Sequence, residues 1–239
     1  MLVMNPQTVP TPVFNKQYKQ AFQEVFMPEG FTNHRNSFYR LCDDVLQIFN
    51  MRICEGEVDF IYNIFPLSMG VDKLFIEIYS TAYYRKKTGY WWQKQELLAS
   101  GFHEPLELVA EHILPLFRES TNSIGAYHSY LRLLYRLYGG HMINTRRDWL
   151  ILFALQAQDY SLAVEQLDSE LDIYLNNSES PLDANHWLVK RLQNDLHHAE
   201  AGDMAFFEPM LNSGRKKTLD FLTSIKSPKR KNNSNEMNW

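Results

Sequence analysis

From Asn15 onward the apolar side chains Tyr18, Phe22, Val25 and Phe26 recur at helical spacing, and Pro28, Glu29 and Gly30 then supply breaker and turn chemistry. The pattern predicts one amphipathic helix after a loose lead-in over residues 1–13, where prolines remove donors and hold their neighbours extended. Past Gly30 the period shortens to that of strands. Residues 37–42, 45–52 and 58–65 are rich in β-branched and aromatic side chains; Asp43 and Asp44 separate the first two runs, and Glu55, Gly56 and Glu57 the last two. They predict an antiparallel meander. Residues 74–84 and 90–93 flank a basic turn, Arg85 to Gly89, and bring the expected sheet to four or five strands.

A two-residue turn at Asp43 and Asp44 sets the register of the first hairpin, with Cys42 facing Val45 and Arg40 facing Gln47. Arg40 then shares a sheet face with Phe38 and Phe49. A charge on an otherwise apolar face is what cross-strand packing leaves unexplained in this hairpin.

After Gly101 the period becomes helical and stays so. Leu106, Val109, Ala110, Ile113, Leu114 and Phe117 form one stripe, opened by Pro105 and kinked by Pro115. Ile124, Tyr127, His128, Leu131, Leu134, Tyr135 and Tyr138 form a second, stopped by Gly139 and Gly140. Residues 148–157 and 161–175, joined through Asp159 as an N-cap, predict a helical hairpin with Trp149, Leu152, Phe153, Ala163, Leu167 and Leu171 inward. Residues 183–201 and 204–225 predict another pair. The stretches LQAQDYSLAVEQL and HHAEAGDMAFFEPML hint at one small-residue hairpin used twice, without establishing a fixed period. The expected class is α+β: a helix and antiparallel sheet over 14–120, a helical region over 121–225, and flexible ends at 1–13 and 226–239.

Composition narrows the chemistry. A chain of 239 residues buries a core that needs neither disulfide nor metal. A formal net charge of -4 gives no general field for polyanions, so the basic Lys229, Arg230 and Lys231 read as a solubilising end. Cys42 and Cys54 form no Cys-x-x-Cys pair, which points to reduced thiols rather than a zinc ribbon or disulfide scaffold. The start MLVMNPQTVPTPVF lacks the pattern of a signal peptide, and no run approaches about 20 apolar residues. A cytoplasmic, non-membrane protein is expected.

The eight histidines are scattered, with no His-Glu-x-x-His and no pair at i and i+4. No Gly-x-Ser-x-Gly and no glycine-rich phosphate loop occurs. The sequence therefore predicts no catalytic residue, no metal ligand and no cofactor. Its candidate binding residues are mixed aromatic and basic groups: Tyr39 and Arg40; Arg85, Lys86 and Lys87; Trp91 and Trp92. Such residues are enriched in protein interfaces and stack on bases, whereas alternation along a strand sends one of Trp91 and Trp92 into the core.

The order of Gly30-Phe31, Phe38-Tyr39-Arg40, Asn63, Gly70, Trp91-Trp92 and Leu114 to Phe117 resembles a bacterial family whose domain carries no assigned activity. The similarity covers roughly residues 15–138. It departs at FNMRICEGE, where the family pattern implies a glutamine-containing strand and a longer polar loop. The resemblance implies an α+β domain of bacterial origin and supplies no chemistry. The expected function is a non-enzymatic protein-binding module, of the immunity or regulatory kind. Two alternatives stand beside it. One is an enzyme assembled only in the fold from Tyr39, Arg40, Asp43, Asp44, Glu77 and nearby histidines; the other is a single-stranded nucleic-acid binder using Arg85 to Lys87 with Trp91 or Trp92.

Overall fold

The computed structural model describes residues 9–54, 57–74, 83–84, 92–138, 147–177 and 181–226. Helix α1 spans Thr11–Phe26, so it starts inside the segment expected to be a loose lead-in. Pro10 sits at its N-cap and Pro12 in its first turn, where a missing N–H costs nothing because that donor has no intrahelical partner. Its buried stripe is Phe14, Tyr18, Phe22 and Phe26, each one turn from the next, and Val25 falls beside it. The helix closes as expected at Gly30. There Phe31 N–H donates to Phe26 O at 3.1 Å and Gly30, at φ 82°, donates to Met27 O at 3.0 Å.

Strands β1 (Thr32–His34), β2 (Ser37–Cys42), β3 (Val45–Cys54) and β4 (Glu57–Pro66) form an antiparallel meander. Short strands β5 (Tyr83–Tyr84) and β6 (Trp92–Gln93) both pair with β4. The first hairpin has the expected register, with Phe38 opposite Phe49, Arg40 opposite Gln47 and Cys42 opposite Val45. Asp43, at φ 39°, takes the left-handed position of the turn, a conformation a short polar side chain tolerates. Of the extended run expected over 74–84, residues 75–82 lie outside the described residues, as do Arg85, Lys86, Lys87, Tyr90 and Trp91.

Period-two alternation gives the sheet two unlike faces. The first carries Phe38, Phe49, Phe60 and Trp92 and meets α1 through stacked rings: Phe22 lies 5.5 Å from Phe49 and 5.4 Å from Phe60. Burying each such ring contributes about 1.5–3 kcal/mol, so this aromatic layer is the main stabiliser of the N-terminal half. The second face carries Leu46, Ile48, Asn50, Ile61, Asn63 and Phe65. Its Phe65 packs edge-on against Trp149 at 4.8 Å.

The stripe expected over 106–117 is one helix in spacing and three pieces in structure. Helix α2 (Lys94–Ala99) precedes α3 (His103–Leu108); a wide π turn over Val109–Ile113 follows, then α4 (Leu114–Glu119). Pro115 cannot donate to the carbonyl one turn back, and the widened turn absorbs that loss while Val109, Ile113 and Phe117 stay buried.

Helix α5 (Ser123–Tyr138) turns inward a face that shares Tyr127 and Leu131 with the expected stripe and is rotated from it at its other described positions. Ala126, Tyr127 and Tyr130 are buried, Ile124 lies at the margin and His128 is exposed. Its rotation is set at the N-terminus, where Asp44 holds Ser123, and by Tyr130 packing on Trp149 at 5.4 Å. The side chains of Leu134, Tyr135 and Tyr138, and the stop at Gly139 and Gly140, lie outside the described residues.

Helices α6 (Arg147–Gln156), α7 (Tyr160–Asp172), α8 (Trp187–Glu200) and α9 (Met204–Lys226) form the two expected pairs. Their turns are the same device twice. Ala157, Gln158 and Asp159 donate to Phe153, Leu155 and Ala154, as Ala201, Gly202 and Asp203 donate to His197, Ala199 and His198. The middle residue is left-handed in both, Gln158 at φ 57° and Gly202 at φ 64°. Each aspartate then caps the next helix, accepting from Leu162 N–H at 3.1 Å and Phe206 N–H at 3.3 Å. Among the described residues no helix is long and apolar enough to cross a membrane.

Candidate functional site

Arg40, the charge that packing did not explain, is the centre of a clasp. Its Nε and Nη2 donate to Gln47 Oε1 at 3.0 and 2.8 Å, and its Nη1 donates to Glu29 O at 2.6 Å. Nη2 also reaches Phe117 O at 3.3 Å, and Gln47 Nε2 donates to Phe117 O and Ser120 O at 2.6 and 2.8 Å. These carbonyls end α4, where the partial negative charge of the helix dipole favours a cation. The guanidinium lies over the Phe31 ring, 4.8 Å from its centroid. Arg40 thus ties together the exit of α1, the β2–β3 hairpin and the end of α4. A second link, from Arg118 to Glu29, holds the Glu29 carboxyl below its usual range.

Asp44, on the same turn, makes the next junction. Its carboxylate accepts from Ser123 N–H at 3.0 Å and Ser123 Oγ at 2.6 Å, so an anion sits at the start of α5. Gln156 of α6 donates to Asp44 O and to Ser123 Oγ, both at 2.6 Å, and accepts from Ser68 N–H at 3.0 Å. Thr218 of α9 donates to Leu67 O at 2.9 Å and accepts from Val71 N–H at 2.8 Å. Through Asp44, Ser123, Gln156 and Thr218 the helices are fastened to the first hairpin and to the turn after β4.

Tyr39 is 3 % exposed on the second face of the sheet, and Trp92 is 1 % exposed on the first, its indole N–H donating to Glu104 at 3.1 Å. The structure therefore does not bring Tyr39, Arg40 and Trp92 together on one surface. Arg85, Lys86, Lys87, Trp91 and Glu77 lie outside the described residues. Among the described residues the one pair of histidine rings in contact is the adjacent His197 and His198. His198 faces Asp203 at 2.8 Å and stacks on Phe206 with centroids 3.7 Å apart. No group of three or more His, Cys, Asp or Glu among the described residues could hold a metal ion. Burial pushes the Cys42 thiol up, away from the thiolate that a nucleophile requires.

Titratable groups depart from their ordinary values where α6, α7 and α8 meet. Burial raises Asp148 and Asp195, and the Arg191 guanidinium only partly offsets it in each. Tyr174 is raised by burial and by the nearby charges of Glu170 and Asp148. Arg191 pairs with Asp195 at 3.6 Å.

The surface of the second helical pair holds what the sequence reasoning missed. Trp187, the first residue of α8, is 67 % exposed, and Phe206 and Met210 are exposed one turn apart on α9. The signal was present as an offset: these residues fall beside, not within, the stripe Phe207, Leu211, Thr218 and Leu222 that α9 buries.

Compared with known proteins, the chain matches no family model, no curated protein and no solved structure.

Proposed function

We propose that the protein is a non-enzymatic binding module that engages a protein partner through the α8–α9 helical pair. The observation that carries this reading is Trp187, a side chain suited to the centre of an interface, held two-thirds in solvent (67 %) at the start of α8. Phe206 and Met210 add apolar surface on α9, and the His198 ring stacked on Phe206 fixes that side chain without covering it. Exposed apolar groups mark interaction surfaces when they adjoin, as Phe206 and Met210 do one turn apart beside the α8–α9 turn, while Trp187 stands at the opposite end of α8. Of the residues named for an enzyme assembled in the fold, Arg40 and Asp44 are committed to backbone and side-chain partners that join elements, and Glu77 lies outside the described residues.

The test compares tagged wild-type protein with Trp187→Ala and with the double substitution Phe206→Ala, Met210→Ala in affinity capture from source cells. All three substituted side chains are exposed, so the variants should fold and melt like wild type. A stoichiometric partner captured by wild type and lost from the variants supports the reading. Equal capture by all three, or capture of nothing, refutes it.

A further inference from the structure

The outward residues of α9 follow an order. Glu200 and Asp203 stand at the turn before the helix; Phe206, Pro209 and Met210 come next, and Lys216 and Lys217 after them. Phe206, Met210, Ser213 and Lys217 recur in alternate steps of four and three residues, the spacing of a seam between paired helices. All four are exposed, because α9 buries a separate stripe, Phe207, Leu211, Thr218 and Leu222. The Phe206 ring is fixed before anything docks on it: His198 stacks at 3.7 Å and Phe207 lies edge-on at 5.0 Å. Acid, apolar and base in that order along one helix complement a copy of the same helix running the opposite way.

From this order we infer that the partner of the α9 face is a second copy of this chain, the two α9 helices lying antiparallel about a twofold axis beside position 208. The inference rests on the reading of the α8–α9 pair as a binding surface and names its occupant. About that axis Phe206 of each copy meets Met210 of the other, a thioether-on-ring contact made twice. Lys216 and Lys217 of each copy then lie beside Glu200 and Asp203 of the other, about 12 Å from the axis at a rise of about 1.5 Å per residue. Glu208 is two residues from both Phe206 and Met210 and points away from the seam, so the axis brings no pair of like charges together there. The seam is short against the roughly 800 Å² per partner of a standard interface, so the dimer is weak, with a Kd of about 10–100 µM.

Sedimentation equilibrium of the full chain over about 1–500 µM tests the inference. The wild-type mass should rise toward twice that of the chain. Met210→Lys should stay monomeric across the range, and Lys216→Glu should weaken dimerisation about tenfold, since each reversed charge acts twice. Both side chains are exposed, so each variant should keep the wild-type Tm to within about 2 °C, which separates lost pairing from lost folding. A wild type that stays monomeric overturns the inference, as does a dimer that survives Met210→Lys or ignores Lys216→Glu. A monomer that captures a different protein through Phe206 and Met210 overturns it too, while leaving the α8–α9 reading in place.

Discussion

Arg40 shows how a residue that looks functional in a sequence becomes structural in a fold. Its guanidinium meets a side-chain oxygen, two backbone carbonyls and an aromatic face in a geometry that an ammonium cannot copy. Arg40→Ala should lower the unfolding free energy by about 2 kcal/mol, because Gln47 Oε1 and Glu29 O lose their donor; Arg40→Lys should recover only part of this. Urea denaturation measures both, and a neutral Arg40→Ala would remove the clasp from the account. Asp195 makes the opposite kind of case. Burial raises its folded pKa above its unfolded value, so its ionisation disfavours the fold and stability falls as pH rises through the folded pKa. Asp195→Asn should therefore raise Tm at pH near 7, and the gain should shrink as pH falls toward the unfolded value of about 3.9. A lower Tm at both pH values would show that the Arg191 pair outweighs the burial.

At the scale of elements, the hairpin register and the helix exit at Gly30 were legible in the sequence because both follow from local turn chemistry. The start of α1, the π turn before α4 and the rotation of α5 were not. Each depends on a distant group, such as Asp44 holding Ser123, or on where a proline falls relative to a tertiary contact. Arg40 was singled out correctly as unusual, but Gln47, Ser120 and Glu29, which explain it, carry no motif. The matching turns after α6 and α8 are a further local feature, and they make a paired prediction. Gln158→Gly should stabilise the protein by about 1 kcal/mol by relieving a left-handed side chain, and Gly202→Ala should destabilise it by a similar amount. Two changes of the same sign would mean that the turns are not equivalent.

At the scale of the whole molecule, α9 is pressed against the 3-10 turn Leu67–Met69 that follows the sheet. A Cβ on Gly214 would lie 1.8 Å from Ser68 O, a backbone atom that cannot give way. Gly214→Ala should cost about 2 kcal/mol or more by levering α9 from the sheet, a loss that Ser213→Ala, at an exposed neighbouring position, should not share. Together with Asp44, Gln156 and Thr218, this contact joins the sheet to the helices, and on the proposed reading a partner protein meets the outer surface of α8 and α9. The most direct test of that claim is site-specific photo-crosslinking in source cells, with the reactive side chain placed at position 187, 206 or 210 and, as a control, at exposed Glu165 of α7. The account predicts one protein adduct of defined mass from the first three positions and none from 165; no adduct at 187, 206 and 210, or the same adduct at all four, would contradict it.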